Sequence, residues 1–524
     1  MLKSPIRGLV VIKLDKIDFL HDPALKMLYQ RAAGNPSDTD ALFDLGCALS
    51  MREYSPDAVA VLDEALKKAP EDGRLWHELI FATASESRME ELAKGVESAF
   101  KNKDSLVKTR NLALINHYLG RAEKALHFCA QMMDRQDKDY TCYEVYAYIL
   151  FWQEEYDNAQ LLAKKSLEMN DKSIRSWRLL GHCFFENGDF AKAEQAYTKA
   201  VELDPMYVRG WYSLGQIILN DKNRFIEGLR CLTRTMYINP YYWNSYFTLI
   251  DFYLGNKMYL EAIGECRKIL NLSPEPRIAS EANNYLGILQ YNQGEYRPAL
   301  VNFRKALELR CDTAVPYYYI GQIHFKMDDF SKALENFEKA IEIDPTFAWA
   351  YTQSGFALLE KRKYSEAIGR FEKALEQDSE EYWAYMGLAD VYRKRKQPKK
   401  QLEVVLKAKE LAEGDSDVHN RLAIAYECNN MPADAEKAYL RALDLDPMNR
   451  KAANNLGYMY EKLFNSTGEN NFKEKAIEMW KKRLLICRDD GSSMKGAVTH
   501  LEKLGVRKSL IDKWIEIGEI EKES

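Results

Sequence analysis

Three stretches of the chain share one arrangement of apolar, small and polar positions. Trp177 to Pro205 reads WRLLGHCFFENGDFAKAEQAYTKAVELDP. Tyr317 to Pro345 reads YYYIGQIHFKMDDFSKALENFEKAIEIDP, and from Tyr351 the chain runs YTQSGFALLEKRKYSEAIGRFEKALEQD. Each stretch predicts two helices. A polar turn separates them, as at Asn187-Gly188-Asp189 or Asn292-Gln293-Gly294. Asp-Pro closes the second helix, because proline cannot continue a helix and biases its predecessor away from helical backbone. An alanine early in the second helix marks the register. It falls at 58, 125, 159, 193, 262, 299, 333, 367 and 435. The steps are 67, 34, 34, 69, 37, 34, 34 and 68, multiples of 34 within one residue apart from the 37. At that step three residues, Arg277 to Ala279, are inserted.

The period organises the chain into an N-terminal tail and capping helix (1–38), thirteen repeats (39–490) and two C-terminal capping helices (491–524). Repeats two and three are degenerate. In the lone helix Asp22 to Ala33, Asp22 is the expected N-cap and Pro23 the first helical residue. Leu9 to Leu14 is a β-branched run that suits an extended tail. The last repeat carries an insertion, Phe464 to Asn471, whose polar residues predict an exposed loop. At the end of the chain, Val498, Leu501, Leu504, Leu510, Trp514 and Ile517 form the apolar stripe expected of a cap.

The motif is specific: W/Y-x-x-L-G near the start, Tyr or Phe before the second helix, A-x-x-x-F/Y-x-x-A, then Pro. Leu-Gly or its equivalent recurs at Leu45-Gly46, Leu180-Gly181, Leu214-Gly215, Leu286-Gly287, Ile320-Gly321 and Leu456-Gly457. These residues and the period resemble the tetratricopeptide repeat family. The resemblance implies an all-α, right-handed superhelical solenoid of about thirteen helix-turn-helix repeats with terminal caps. Small residues in both helices would let the two backbones approach, with Leu, Tyr and Phe filling the gap to the next repeat.

Composition narrows the function. Among 524 residues, 46% are hydrophobic and 29% charged, and the net charge is −5. That balance opposes a chain-wide nucleic-acid footprint. The first twenty residues hold no apolar run beyond Leu9 to Ile12, too short for a signal peptide or a membrane span. A cytoplasmic location is therefore expected. Nine cysteines are scattered with no C-x-x-C, which disfavours disulfides and a zinc ribbon. No phosphate-binding loop, dinucleotide fingerprint, H-E-x-x-H or G-x-S-x-G is present. Neither an enzyme nor a bound cofactor or metal is expected.

The aromatics stand out: Tyr 32, Phe 21 and Trp 9. Most suit repeat packing. The resemblance implies that repeat positions 2, 5, 6, 9, 12 and 13 of the first helices face a concave groove. On that face lie Arg178, Tyr212, Phe247, Asn284, Tyr285, Tyr318, Tyr319, Trp349, Trp383, Asn420 and Asn454, with Arg421 and Asn455 beside them. Aromatics there make large contacts at low entropy cost, and Asn can pair both backbone groups of an extended peptide. Trp349 and Trp383, 34 apart, should occupy equivalent places. No three successive repeats carry the Lys-Asn-Asn-Lys-Arg carboxylate clamp of chaperone-binding members. A second feature is basic: Lys361-Arg362-Lys363, and Arg393-Lys394-Arg395-Lys396 followed by Lys399 and Lys400. These turns, one repeat apart, predict a positive edge for an acidic partner, with nucleic acid unlikely.

The expected function is a non-catalytic scaffold that binds an extended peptide or helix in its groove. The alternative is a subunit of a large assembly. Tyr207 to Gln216 (YVRGWYSLGQ) is similar to the repeat subunits of the anaphase-promoting complex. Glycosyltransferases that carry such arrays place a catalytic domain after them, and the 34 residues from 491 are too few for one.

Overall fold

The structure, a computed structural model, describes residues 22–83, 86–101, 105–309, 313–486 and 491–523. The tail Leu9 to Leu14, Cys311, Cys487 and the side chain of Ile517 lie outside the described residues. Among the described residues there are twenty-nine helices and no strand. Thirteen antiparallel pairs run from Thr39–Met51 with Ser55–Lys68 to Arg450–Thr467 with Asn470–Ile486. Pro23–Gly34 precedes them, and Gly491–Lys503 and Lys508–Glu523 follow. The chain divides into two compact units, at Ile278 and Ala279. In each, helix pairs stack on their neighbours as a superhelical solenoid.

The pairs close around glycine and aromatic partners. A Cβ on Gly321 would lie 2.6 Å from the ring of Phe337, and one on Gly355 2.6 Å from that of Phe371. Gly287 stands likewise against Phe303, and Gly181 against Tyr197. The glycine therefore makes room for a fully buried ring of its own repeat. It does not bring two bare backbones together, and the aromatic fills the space within the pair.

The turn between the helices has its own register. A left-handed residue occupies it at Glu53, Gly120, Glu154, Gly188, Lys257, Gly294, Asp328, Arg362, Lys396 and Asn430. Each lies five residues before the marker position, as 58 − 53 shows. The geometry persists where glycine is replaced, so the repeat imposes it.

Two expectations change, and the N-terminal one holds. The polar insertion is not a loop: it lengthens both helices, and only Gly468 and Glu469 separate them. Gly468 (φ 73°) donates its N–H to the Phe464 carbonyl at 2.8 Å and ends the first helix there. In the C-terminal cap Leu501 and Leu504 are buried, but Leu510 is 42% exposed and its neighbour Ile511 takes the inward place. At the other end, Asp22 Oδ1 accepts from Leu25 N at 2.9 Å, with Pro23 at the first position.

Candidate partner-binding groove

In the second unit the first helices are Pro276–Asn292, which enters it at Ala279, then Val315–Lys326, Ala348–Glu360, Tyr382–Lys394, Ser416–Cys428 and Arg450–Thr467. Their aromatics differ in what they offer. Tyr319 stacks on buried Phe303 at 5.5 Å and 10°, so its ring serves packing. Tyr318 lies against Phe347 and Phe337, and its hydroxyl accepts from Gln322 Nε2 at 3.0 Å. Burial pushes that hydroxyl's pKa up. Trp349 is 47% exposed. Trp383 is half-buried, tilted on Tyr382 at 5.1 Å and packed with Met386, Ala408 and Val418. The two tryptophans thus share a register position but not an environment. Tyr285 and Asn284 are half-buried, and among the described residues Asn284 Oδ1 has no hydrogen-bond partner.

The asparagines meet farther along the same unit. Asn420, Asn454 and Asn455 line a cavity of about 480 Å³ with Asp390, Arg393, Asp417, Arg421, Ile424, Arg450, Lys451 and Arg483. Asn455 Nδ2 donates to Asn420 Oδ1 at 3.0 Å. Asp390 pairs with Arg421 and, at 3.5 Å, with Arg393, while Lys451 lies 3.8 Å from Asp417. Five cationic and two carboxylate side chains line this cavity. Arg450, Lys451 and Arg483 carry no signal in the groove positions considered above. Lys451 is at position 2 of its repeat, where only tryptophans stood out, and Arg483 comes from a second helix. The basic edge is exposed: Lys361 reaches Ser331 Oγ at 3.0 Å, Lys363 pairs with Glu366, and Lys394, Arg395 and Lys396 are open to solvent. Arg362 and Lys396 are the left-handed residues of their two turns, hence at equivalent positions.

The first unit holds Arg178, Tyr212 and Phe247, and they belong to a denser polar interior. Arg178 Nη1 lies 2.8 Å from His182 Nε2. A guanidinium can only donate, so Nε2 accepts and Nδ1 carries the proton toward the Tyr197 hydroxyl, 2.8 Å away. Burial, then the charges of Arg178 and Arg209, lower the His182 pKa to about 3. Tyr212 shares its hydroxyl with Thr248 and Gln216, and Phe247 is half-buried.

Sequence reasoning missed the rest of this interior. His77, Glu78, Arg110, Asn111 and Glu144 occupy positions 5 and 6 of repeats two to four, and all are buried. Burial alone would raise the Glu144 pKa. The His77 side chain, the Arg175 charge and the Ser173 hydroxyl outweigh it and bring the carboxyl to about 2. The register could have found these residues, but repeats two and three lack the Leu-Gly motif that assigns positions with certainty.

Profiles described as Tetratricopeptide repeat match residues 174–207, 314–347, 336–369, 354–416 and 420–466. The chain is a tetratricopeptide-repeat protein. By this architecture it is a protein-interaction scaffold, of a kind that is characteristically non-catalytic. Among solved structures the repeat protein is similar to YrrB, titled a TPR protein with an unusual peptide-binding site. They are 28% identical over 38% of this chain and 97% of the other, with a TM-score of 0.29. It is also similar to the APC/C hetero-tetramer Cut9-Hcn1 (15% identity, 73% and 95% covered, TM-score 0.36). A third likeness is to a monomeric mutant of IFIT1 with Gppp-AAAA (16%, 82% and 97%, TM-score 0.40). At these scores the likenesses concern the repeat fold alone. No curated protein matches the chain. No described helix of the repeat protein is long and apolar enough to cross a membrane.

Proposed function

We propose that the second unit is a receptor for an extended, acidic segment of a protein partner, held along its first helices. The supporting observation is the polar cavity, where Asn420, Asn454 and Asn455 stand among Arg393, Arg421, Arg450, Lys451 and Arg483. The amides suit a peptide backbone, and guanidinium and ammonium groups such as those of Arg421 and Lys451 suit carboxylate side chains. Tyr318 and exposed Trp349, in the ninth and tenth repeats, extend the surface with aromatic area. The basic edge, from Lys361 to Lys363 and from Arg393 to Lys396, would draw the same partner by long-range attraction. The described cysteines are all free, in keeping with the cytoplasmic setting we propose.

Fluorescence polarisation with a Glu- and Asp-rich twelve-residue peptide tests the reading, with its Gln and Asn counterpart as control. The acidic peptide should bind in a salt-sensitive way, and Arg421→Glu with Lys451→Glu should weaken it by at least about tenfold. Equal binding of both peptides would refute the acidic preference. In a pull-down, Tyr318→Ala with Trp349→Ala should lose partners, and an unchanged set would make those rings structural. A chain that binds neither peptide and is recovered only inside a larger complex would favour the alternative, a subunit of an assembly such as the anaphase-promoting complex.

A further inference from the structure

Within the first unit, residues far apart in the chain meet across the concave side. The turn of the first repeat, Arg52 to Tyr54, touches the sixth. Tyr54 donates its hydroxyl to the Ile238 carbonyl at 3.2 Å, and Asn239 Nδ2 donates to the Arg52 carbonyl at 2.9 Å. Glu53, raised by its left-handed backbone, takes Arg209 in two contacts of 2.5 and 3.1 Å. Deeper in, Glu78 takes Arg175 at 2.5 and 2.7 Å, and that guanidinium covers the Phe81 ring at 4.5 Å. Arg52 is itself anchored by Asp22 of the preceding helix.

This seam differs in kind from the packing along the chain. The hydrophobic clusters of the unit run Leu25 to Ile149, Ala147 to Ala196, Ala193 to Cys231 and Leu219 to Leu249. Each joins neighbours in sequence, and none of them joins the first repeat to the sixth. The closing contacts described above are polar. Added salt leaves apolar packing intact, whereas an ion pair with Arg209 43% and Glu53 14% exposed is weakened by it. The interior behind the seam is costly to keep shut. Asn111 is 0% exposed, yet among the described residues neither amide atom has a hydrogen-bond partner, nor do His77 Nδ1 and Arg110 Nε.

We propose that the first unit is a latched turn: the Glu53–Arg209 and Glu78–Arg175 pairs hold its concave face shut, and breaking the outer pair opens that face while the helix pairs stay folded. The closed state withholds Arg178 and the buried row His77, Arg110, Asn111 and Glu144 from any partner. The open state presents them.

A native thiol reports on the latch. Cys47 lies in the first helix of the first repeat and is half-buried. Burial and then the charge of Glu78 hold its thiol protonated and slow to react. Cys428, exposed in the other unit, serves as internal control. Alkylation of the full chain by N-ethylmaleimide, followed by peptide mass spectrometry, gives the ratio of the two rates. Arg209→Glu should raise the Cys47 rate about tenfold relative to Cys428 with helicity by circular dichroism intact. The swapped pair Glu53→Arg with Arg209→Glu should return it to within about twofold of wild type. An unchanged ratio in the folded single variant overturns the latch, as does a swap that fails to restore it. If the single variant loses helicity, the wild type decides: between about 0.05 M and about 1 M sodium chloride the ratio must rise. A ratio flat across that range overturns the proposal.

Discussion

At the scale of single residues, what surrounds a glycine decides what its substitution does. Gly321 faces Phe337, which is 0% exposed and cannot swing away. Gly321→Ala should therefore cost about 1–3 kcal/mol in urea unfolding, the range for overpacking a closed site. Gly369 sits inside Tyr364–Gln377 with nothing within 4 Å of a new Cβ. There the same change should stabilise by up to about 1 kcal/mol, because alanine restricts the unfolded chain and favours the helix. Equal effects at the two sites would contradict the aromatic-on-glycine packing. Glu144 gives a residue-scale pH effect. Its folded pKa of about 2 lies below the ordinary carboxyl value of 4.5. Its ionised form therefore contributes stability that is fully present above pH 4.5 and lost as pH falls through 2. The loss should be on the order of 3 kcal/mol. Thermal melts of Glu144→Gln should lack that part of the acid dependence. A Glu144→Gln profile that parallels wild type between pH 4.5 and 2 would contradict it.

At the scale of elements, the helix pairs were legible because spacing survives substitution. The marker alanines count out 34 even where the Leu-Gly motif fails. The left-handed turn was legible only at Asn187-Gly188-Asp189 and Asn292-Gln293-Gly294. Glu53, Lys257 or Asp328 adopt the same backbone, but they carry no local sign of it. Their conformation follows from the two helices they must join. The insertion in the last repeat misleads for a related reason. FNSTGENN is polar enough for a loop, yet exposed extensions of two paired helices need be no less polar. One residue sets where they part. Gly468→Ala puts a Cβ on a backbone of φ 73° and should destabilise by about 1 kcal/mol. Asn470→Ala, two residues on and inside the second helix, should move stability by less than about half as much. Chemical denaturation of the two variants compares them, and a larger loss at Asn470 would place the break elsewhere.

At the scale of the whole molecule, the period predicts one array of repeats, and the helix pairs group into two compact units. Nothing in the 34-residue register announces the closure of the first unit. It depends on pairs separated by 97, 156, 184 and 187 positions, and a repeat pattern carries no information at those separations. The polar cavity of the second unit was half legible. Asn420 and Asn454 stand at groove positions, but Arg483 arrives from a second helix and escapes a reading confined to the first. This cavity lies wholly between Asp390 and Arg483. In a solenoid each pair is stabilised by its neighbours, so a segment of several pairs holds its own interior. The clusters Ala299 to Ile323, Ala314 to Val391 and Ala389 to Ile511 provide a continuous core for the second unit without residues of the first. A fragment of residues 273–524 keeps Pro276–Asn292 whole and should fold, with an N-terminal pair that frays first because one face has lost its cover. It should bind the acidic peptide within about threefold of the full chain. Circular dichroism and polarisation together decide the outcome. A helical fragment that no longer binds would mean that the peptide site needs the first unit. A fragment without helicity would mean that the second unit's core is not sufficient by itself.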